Sequence, residues 1–167
     1  MPPRTQREYT RLVNATSPTE TREEAMKRVV DVLWEAFADQ GLSWIGFYTA
    51  TGETATEMLL GARRDKPACS PIGMHGACGK CYLSKRGLVV TDVAKLGEGY
   101  IACDPRDRSE VVVPCIDVDG TCWGVLDADS YDVNAFTMHD ALSLMKLLRH
   151  AKLSYHGDES PSMVQIV

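Results

Sequence analysis

The sequence predicts an α+β domain: a central, mostly antiparallel β-sheet of about six strands, with N- and C-terminal helices packed on one face and a small-ligand pocket on the other. Three observations carry that prediction. One amphipathic helical stripe comes early and another comes late. Short strand-like runs fill the space between them. Two of those runs are joined by Asp119-Gly120, a strong signal for a tight hairpin.

Taken in order, the first helix is expected from Ser17. Ser17 and Glu20 have capping-box spacing, and Pro18 occupies a first-turn position where proline is tolerated. Ala25, Met26, Val29, Val30, Leu33, Ala36 and Phe37 then recur at helical period, and Gly41 supplies a stop. Residues 43–49 read as a strand, 54–62 as a second and 68–72 as a third. Gly73-Met74-His75-Gly76 breaks the chain before a short helix over 77–84. A small strand is expected at 88–91, followed by a polar loop over 94–109. Residues 110–118 and 121–130 form the hairpin. The last helix runs over 138–153, with Thr137 and Asp140 at capping-box spacing and Ala141, Leu142, Leu144, Met145, Leu148 and Ala151 on one side. The domain is expected to span 17–157, after an N-terminal segment (1–16) and before a C-terminal tail (158–167).

The chain has 167 residues, 44% apolar and 25% charged, enough for one domain with a real core. A net charge of −5 argues against nucleic acid as the main partner. No run approaches the roughly 18 apolar residues of a membrane span. The polar N-terminus has no apolar signal segment, so a cytoplasmic, reducing location is expected. Six cysteines there point to redox or metal chemistry more than to structural disulfides.

A two-residue Asp119-Gly120 turn places Val118 opposite Thr121, Glu110 opposite Asp129 and Val112 opposite Asp127. Alternation then puts Glu110, Asp127 and Asp129 on one face with Val112, Pro114, Trp123 and Val125. Opposed residues lie ~5 Å apart and diagonal ones ~7–8 Å. Three clustered carboxylates repel, so solvent, a cation or a retained proton must offset them. On the first strand Trp44, Gly46 and Tyr48 share a face, and the glycine leaves room between two aromatics for a small ligand.

Among the cysteines, Cys115 and Cys122 fall on the hairpin face opposite the acids and read as buried filler. Cys103 lies in a polar loop seven residues before Glu110 and is a candidate nucleophile. Cys78 lies near a helix N-terminus, where the dipole favours a thiolate. Cys69 lies on or near the third strand. Cys78 and Cys81 form a C-x-x-C; with His75, Cys69 and Cys103 they could make a zinc site, although the paired-ligand pattern is incomplete. His139, His150 and His156 read as ordinary surface or core residues.

Five motifs in order resemble the free methionine-(R)-sulfoxide reductases, single-domain proteins of the GAF family: Trp44-Ile45-Gly46-Phe47-Tyr48, Gly76-Ala77-Cys78-Gly79, Tyr100-Ile101-Ala102-Cys103-Asp104, Ser109-Glu110-Val111-Val112-Val113-Pro114, and Gly124-Val125-Leu126-Asp127-Ala128-Asp129-Ser130. The resemblance covers roughly Trp44 to Tyr131. It implies a GAF-like fold and Cys103 as nucleophile. Cys69 or Cys78 would be the resolving thiol, Glu110, Asp127 and Asp129 the substrate-binding acids, and Trp44 and Tyr48 the aromatic wall. The expected substrate is free methionine-(R)-sulfoxide. No cofactor and no resident metal are expected. The expected partner is thioredoxin as external reductant, with a homodimer as an option. Two other readings compete: a non-catalytic GAF small-ligand module, and a thiol redox-sensing or zinc-binding regulator.

Overall fold

Helix α1 (Thr10–Ala15) and helix α2 (Arg22–Phe37) precede strand β1 (Trp44–Thr49) in the computed structural model, which describes residues 5–18, 21–52, 54–97, 100, 103–155 and 159–167. Strands β2 (Glu57–Arg64) and β3 (Ile72–Gly73), helix α3 (Ala77–Ser84) and strand β4 (Gly87–Val90) follow. The hairpin is β5 (Ser109–Ile116) and β6 (Cys122–Ser130). Helix α4 (Met138–His150) and strand β7 (Val164–Ile166) complete the order.

The sheet has seven strands in the order β3-β2-β1-β6-β5-β4-β7, antiparallel except where β7 runs parallel to β4. The α+β expectation of a central sheet with bracketing helices therefore holds. The strand missing from it lies in the segment expected to be a tail. Three residues were too short a run to be recognised as a strand.

Helix α2 begins later than expected. Thr21 is its N-cap and accepts a hydrogen bond from Glu24 N at 3.1 Å. Ser17 instead donates to Asn14 O at the end of α1, and its expected capping partner Glu20 lies outside the described residues. Helix α4 starts where its capping box predicted, with Thr137 N donating to Asp140 Oδ2 at 2.9 Å. The third strand shrinks to two residues, which leaves Cys69 on a loop.

Alternation divides the sheet into two faces. Ile45, Phe47, Val111, Val113, Cys115, Leu126 and Ala128 pack under α2 and α4 with Val29, Leu33, Leu144 and Leu148. Trp44, Tyr48, Val112 and Val125 face the other way and pack with Cys78, Cys81 and Tyr82 of α3. Burial of apolar side chains on both faces, at roughly 25 cal/mol per Å2, holds the layers together.

The hairpin end corrects one expectation. Gly120 N donates to Asp117 O, Asp117 N donates to Thr121 O, and Gly120 has φ +88°. Asp117 rather than Val118 thus pairs with Thr121 across a three-residue loop that ends in a left-handed glycine. That slips the register by one residue. A bulge at Trp123 slips it back: Ile116 pairs with Cys122, but Cys115 pairs with Gly124. Glu110 consequently still faces Asp129 and Val112 still faces Asp127. Around the bulge the side chains change sides. Trp123 joins the helix-side core, with its Nε1 bound to Leu153 O, and Cys122 joins the other face.

Candidate active site

On the α3 side of the sheet, a cavity of about 40 Å3 lies between the hairpin, β1, α3 and the Cys103 loop. Trp44, Tyr48, Cys78, Cys103, Glu110, Asp127 and Asp129 all line it. Of the predicted site residues, only Cys69 is missing from that wall, and it is bonded to Cys103 with a Cα–Cα separation of 5.6 Å. Both partners of this disulfide are exposed, whereas Cys78, Cys81, Cys115 and Cys122 are free and buried. Ile101 and Ala102 of the Cys103 motif lie outside the described residues.

The three acids meet because strand pairing leaves them no alternative. Glu110 and Asp129 are direct partners, and Asp127 is one pleat further along the same face. Glu110 is 4% and Asp127 5% exposed. Burial raises the pKa of Glu110, while hydrogen bonds from Asp127 and Tyr100 pull it back down. Burial first, and then the charges of Asp129 and Glu110, push Asp127 well above the usual carboxylate range. Burial and Glu110 do the same to Asp129. Both the burial and the mutual repulsion favour the protonated form, with Asp127 donating to Glu110. Among the described residues, Asp127 Oδ1 has no hydrogen-bond partner. At the rim, burial and the charge of Asp104 raise Asp107 to about 6, against a hydrogen bond from Ser43.

Tyr100 opens the Cys103 motif but is not among the expected site residues. Its hydroxyl donates to Glu110 Oε2, and burial plus the acid charges hold its pKa far above that of a free phenol. Trp44 and Tyr48 have a second use beyond lining the cavity. Trp44 Nε1 donates to Lys66 O at 2.9 Å and Tyr48 Oη to Cys69 O at 2.8 Å, so the two aromatics brace the Cys69 loop. The role expected for Gly46 changes accordingly. A Cβ there would come within 2.7 Å of Trp44 Cζ2, so the glycine makes room for the indole itself and not for a ligand.

Cys78 does not behave as a helix-activated thiol. It sits in the first turn of α3, but burial, followed by Asp127, Glu110 and Asp129, drives its pKa well up. Desolvation outweighs the dipole of a helix of eight residues. Cys78, Glu110 and Asp127 offer ligand atoms within 4.8 Å of one another, so a cation there would have to displace the protons that they hold. Among the described residues no comparable group draws on Cys69, Cys81, Cys103 or His75, so the zinc set considered from the sequence is not assembled.

The arrangement is chemically specific: retained protons at the bottom of a small polar cavity, an aromatic wall, and a surface disulfide whose Cys103 end forms part of the lining. Residues 19–152 match the GAF domain family model. The chain is 36% identical over 121 residues to the free methionine-R-sulfoxide reductase of Saccharomyces cerevisiae, covering 71% of this chain and 67% of that protein. It is 34% identical over 119 residues to the enzyme of the same name from Escherichia coli, covering 70% and 67%. A Staphylococcus aureus structure described as fRMsr in complex with substrate superposes with a TM-score of 0.77 at 27% identity, covering 90% of this chain and 98% of that one. For the Neisseria meningitidis free methionine-R-sulfoxide reductase with its substrate the TM-score is 0.70 at 32% identity, covering 86% and 84%.

Proposed function

The chain belongs to the GAF-domain family and, within it, to the free methionine-R-sulfoxide reductases, and on that premise we propose that Cys103 takes the sulfoxide oxygen, Cys69 closes the disulfide and the three acids hold the substrate. The reaction is the reduction of free L-methionine-(R)-sulfoxide to L-methionine, an oxidoreductase activity. One observation carries the assignment of roles: Cys103 belongs both to an exposed disulfide and to the wall of the acid cavity.

A sulfoxide sulfur becomes electrophilic when its oxygen is protonated or strongly hydrogen-bonded. The Glu110–Asp127 pair can supply that proton because burial keeps it there. The Cys103 thiolate attacks sulfur, the S–O bond breaks, methionine leaves and Cys103 becomes a sulfenic acid. Cys69 then displaces the oxygen as water and forms the disulfide. An external dithiol, thioredoxin in this reading, supplies two electrons by exchange, restoring both thiols and leaving as a disulfide itself. The exposure of Cys69 and Cys103 suits that exchange, and the burial of Cys78 makes it the weaker resolving candidate.

The ammonium of a free amino acid supplies the cation that the acid trio lacks, with Asp127 Oδ1 free to accept from it. A methionine inside a peptide has no such ammonium. Gly76, Ala77 and Cys78 put the N-terminus of α3 at the cavity, where its backbone amides can take the substrate carboxylate. The Trp44 face then receives the S-methyl group and sets the chirality at sulfur.

The test is an assay that resolves the two epimers. With racemic free methionine sulfoxide and dithiothreitol, the R epimer should disappear and the S epimer remain, while a peptide-bound sulfoxide is untouched. Consumption of the S epimer, or equal rates on the peptide, would overturn the reading. Cys103→Ser should abolish turnover.

A further inference from the structure

The two redox cysteines ride on different loops, and a polar cluster outside the acid cavity ties those loops to each other. Lys66 lies three residues before Cys69, and Asp104 directly follows Cys103. Tyr131, one residue beyond β6, stands between them. Its Oη accepts from Lys66 Nζ at 2.8 Å and donates to Asp104 Oδ2 at 2.9 Å. Arg106 grips both Asp104 oxygens, Nε to Oδ1 at 3.0 Å and Nη2 to Oδ2 at 2.9 Å. The Arg106 guanidinium also covers the Tyr131 ring at 4.6 Å. Surface ion pairs contribute little singly, but a bidentate arginine–carboxylate pair inside a network is the exception.

Lys66 Nζ also lies 3.7 Å from Asp104 Oδ2, a looser direct ion pair within the same bridge, and the remaining tethers run to the sheet. Trp44 and Tyr48 hold the Cys69 loop to β1, and Arg108 N donates to Ser130 O to hold the Cys103 loop to β6. Once the disulfide is reduced, the Lys66–Tyr131–Asp104 bridge still joins the two loops directly.

We propose that Tyr131 is a positioning residue for the second half of the reaction: the bridge keeps the Cys69 thiol beside the Cys103 sulfenic acid and so speeds their condensation. In that step the S–O bond of Cys103 breaks as the S–S bond forms. The oxygen leaves as water with the Cys69 proton, and no outside oxidant or reductant takes part. Holding two reacting groups together raises their effective concentration without touching the first chemical step. The proposal rests on the reductase reading given above.

A single-turnover experiment tests it. Reduced wild type and Tyr131→Phe are mixed with free methionine-(R)-sulfoxide in the absence of external thiol. Methionine release is followed together with mass analysis of the quenched protein, with a dimedone-type probe present to trap sulfenic acid. Phenylalanine keeps the ring under Arg106 and removes only the bridging oxygen. Methionine release should match wild type, whereas disulfide closure should slow about tenfold, as loss of hydrogen bonds to charged groups implies. Trapped sulfenic acid should rise in step. Lys66→Gln should slow closure likewise, and Lys66→Arg should restore most of it. Closure at the wild-type rate in both Tyr131→Phe and Lys66→Gln, or an equal slowing of methionine release and closure, would overturn the positioning role alone. A wild-type protein that releases no methionine would sink the reductase reading and the bridge with it.

Discussion

Two buried clusters of ionisable groups lie on opposite faces of one sheet, and among the described residues only one holds its own cation. On the helix side, Arg7 is 4% and Asp140 3% exposed, and they pair at 3.2 Å. Arg7 also donates to Ala135 O and Gln40 O, both at 2.8 Å, and its guanidinium lies 4.9 Å from the Phe136 ring centre. Tyr9 Oη donates to Asp140 Oδ1 at 2.7 Å. On the cavity side, Glu110, Asp127 and Asp129 form no ion pair among the described residues; one buried atom in each cluster, Arg7 Nε and Asp127 Oδ1, has no hydrogen-bond partner among them. The chain can therefore neutralise buried charge where structure is all that is required. On the reading proposed above, the deficit left open at the acid trio is what selects a substrate ammonium.

That contrast breaks most visibly at Arg7. Arg7→Met leaves Asp140 buried without its cation, and should cost about 3–5 kcal/mol. Thermal melting should fall by roughly 10 °C, as expected for a domain of this size, while KM for the free sulfoxide stays put. An unchanged melting temperature would mean the two clusters do not differ in kind.

Asp127→Asn should act with the opposite sign on stability while cutting turnover by about two orders of magnitude. The folded pKa of Asp127 is raised. Its contribution to stability is therefore fully present below the pKa of an unfolded aspartate and is lost as pH rises through the folded value. The amide escapes that loss, so the variant should be about 1–2 kcal/mol more stable than wild type at pH 8 and closer to it at pH 5. Urea titrations at the two pH values measure this, and a variant less stable at pH 8 would contradict it.

The smallest effect belongs to the rim. Asp107 is raised from 3.8 to about 6 by burial and by Asp104. Its stabilising protonated form is complete below about pH 4 and is lost as pH rises through about 6. Asp107→Asn should flatten the decline in the urea midpoint across that window. An unaltered slope would place the decline on the acid trio alone.

How much of this was legible in the sequence differs from residue to residue. Strand alternation put Glu110, Asp127 and Asp129 on one face, because a period of two survives small errors in strand ends. The helix stripes and the Thr137–Asp140 cap were equally local signals. What could not be read was non-local. Arg7 meets its partner across 133 positions, and nothing near Arg7 announces Asp140. Tyr100 reaches Glu110, and Tyr131 reaches Lys66 and Asp104, only through loop folding. Cys69 was expected on or near a strand because Cys69-Ser70-Pro71-Ile72 resembles an extended run, but pairing begins only at Ile72.

The Asp119-Gly120 turn was misjudged by one residue, and the acids still lined up because Trp123 supplies a second, compensating offset. That places a phase corrector between the tip of the hairpin and its acidic base. Lengthening or shortening the tip can be absorbed before it reaches the carboxylates, provided the indole is free to step in or out of the ladder. Chemistry at one end of a ribbon is thereby insulated from drift at the other.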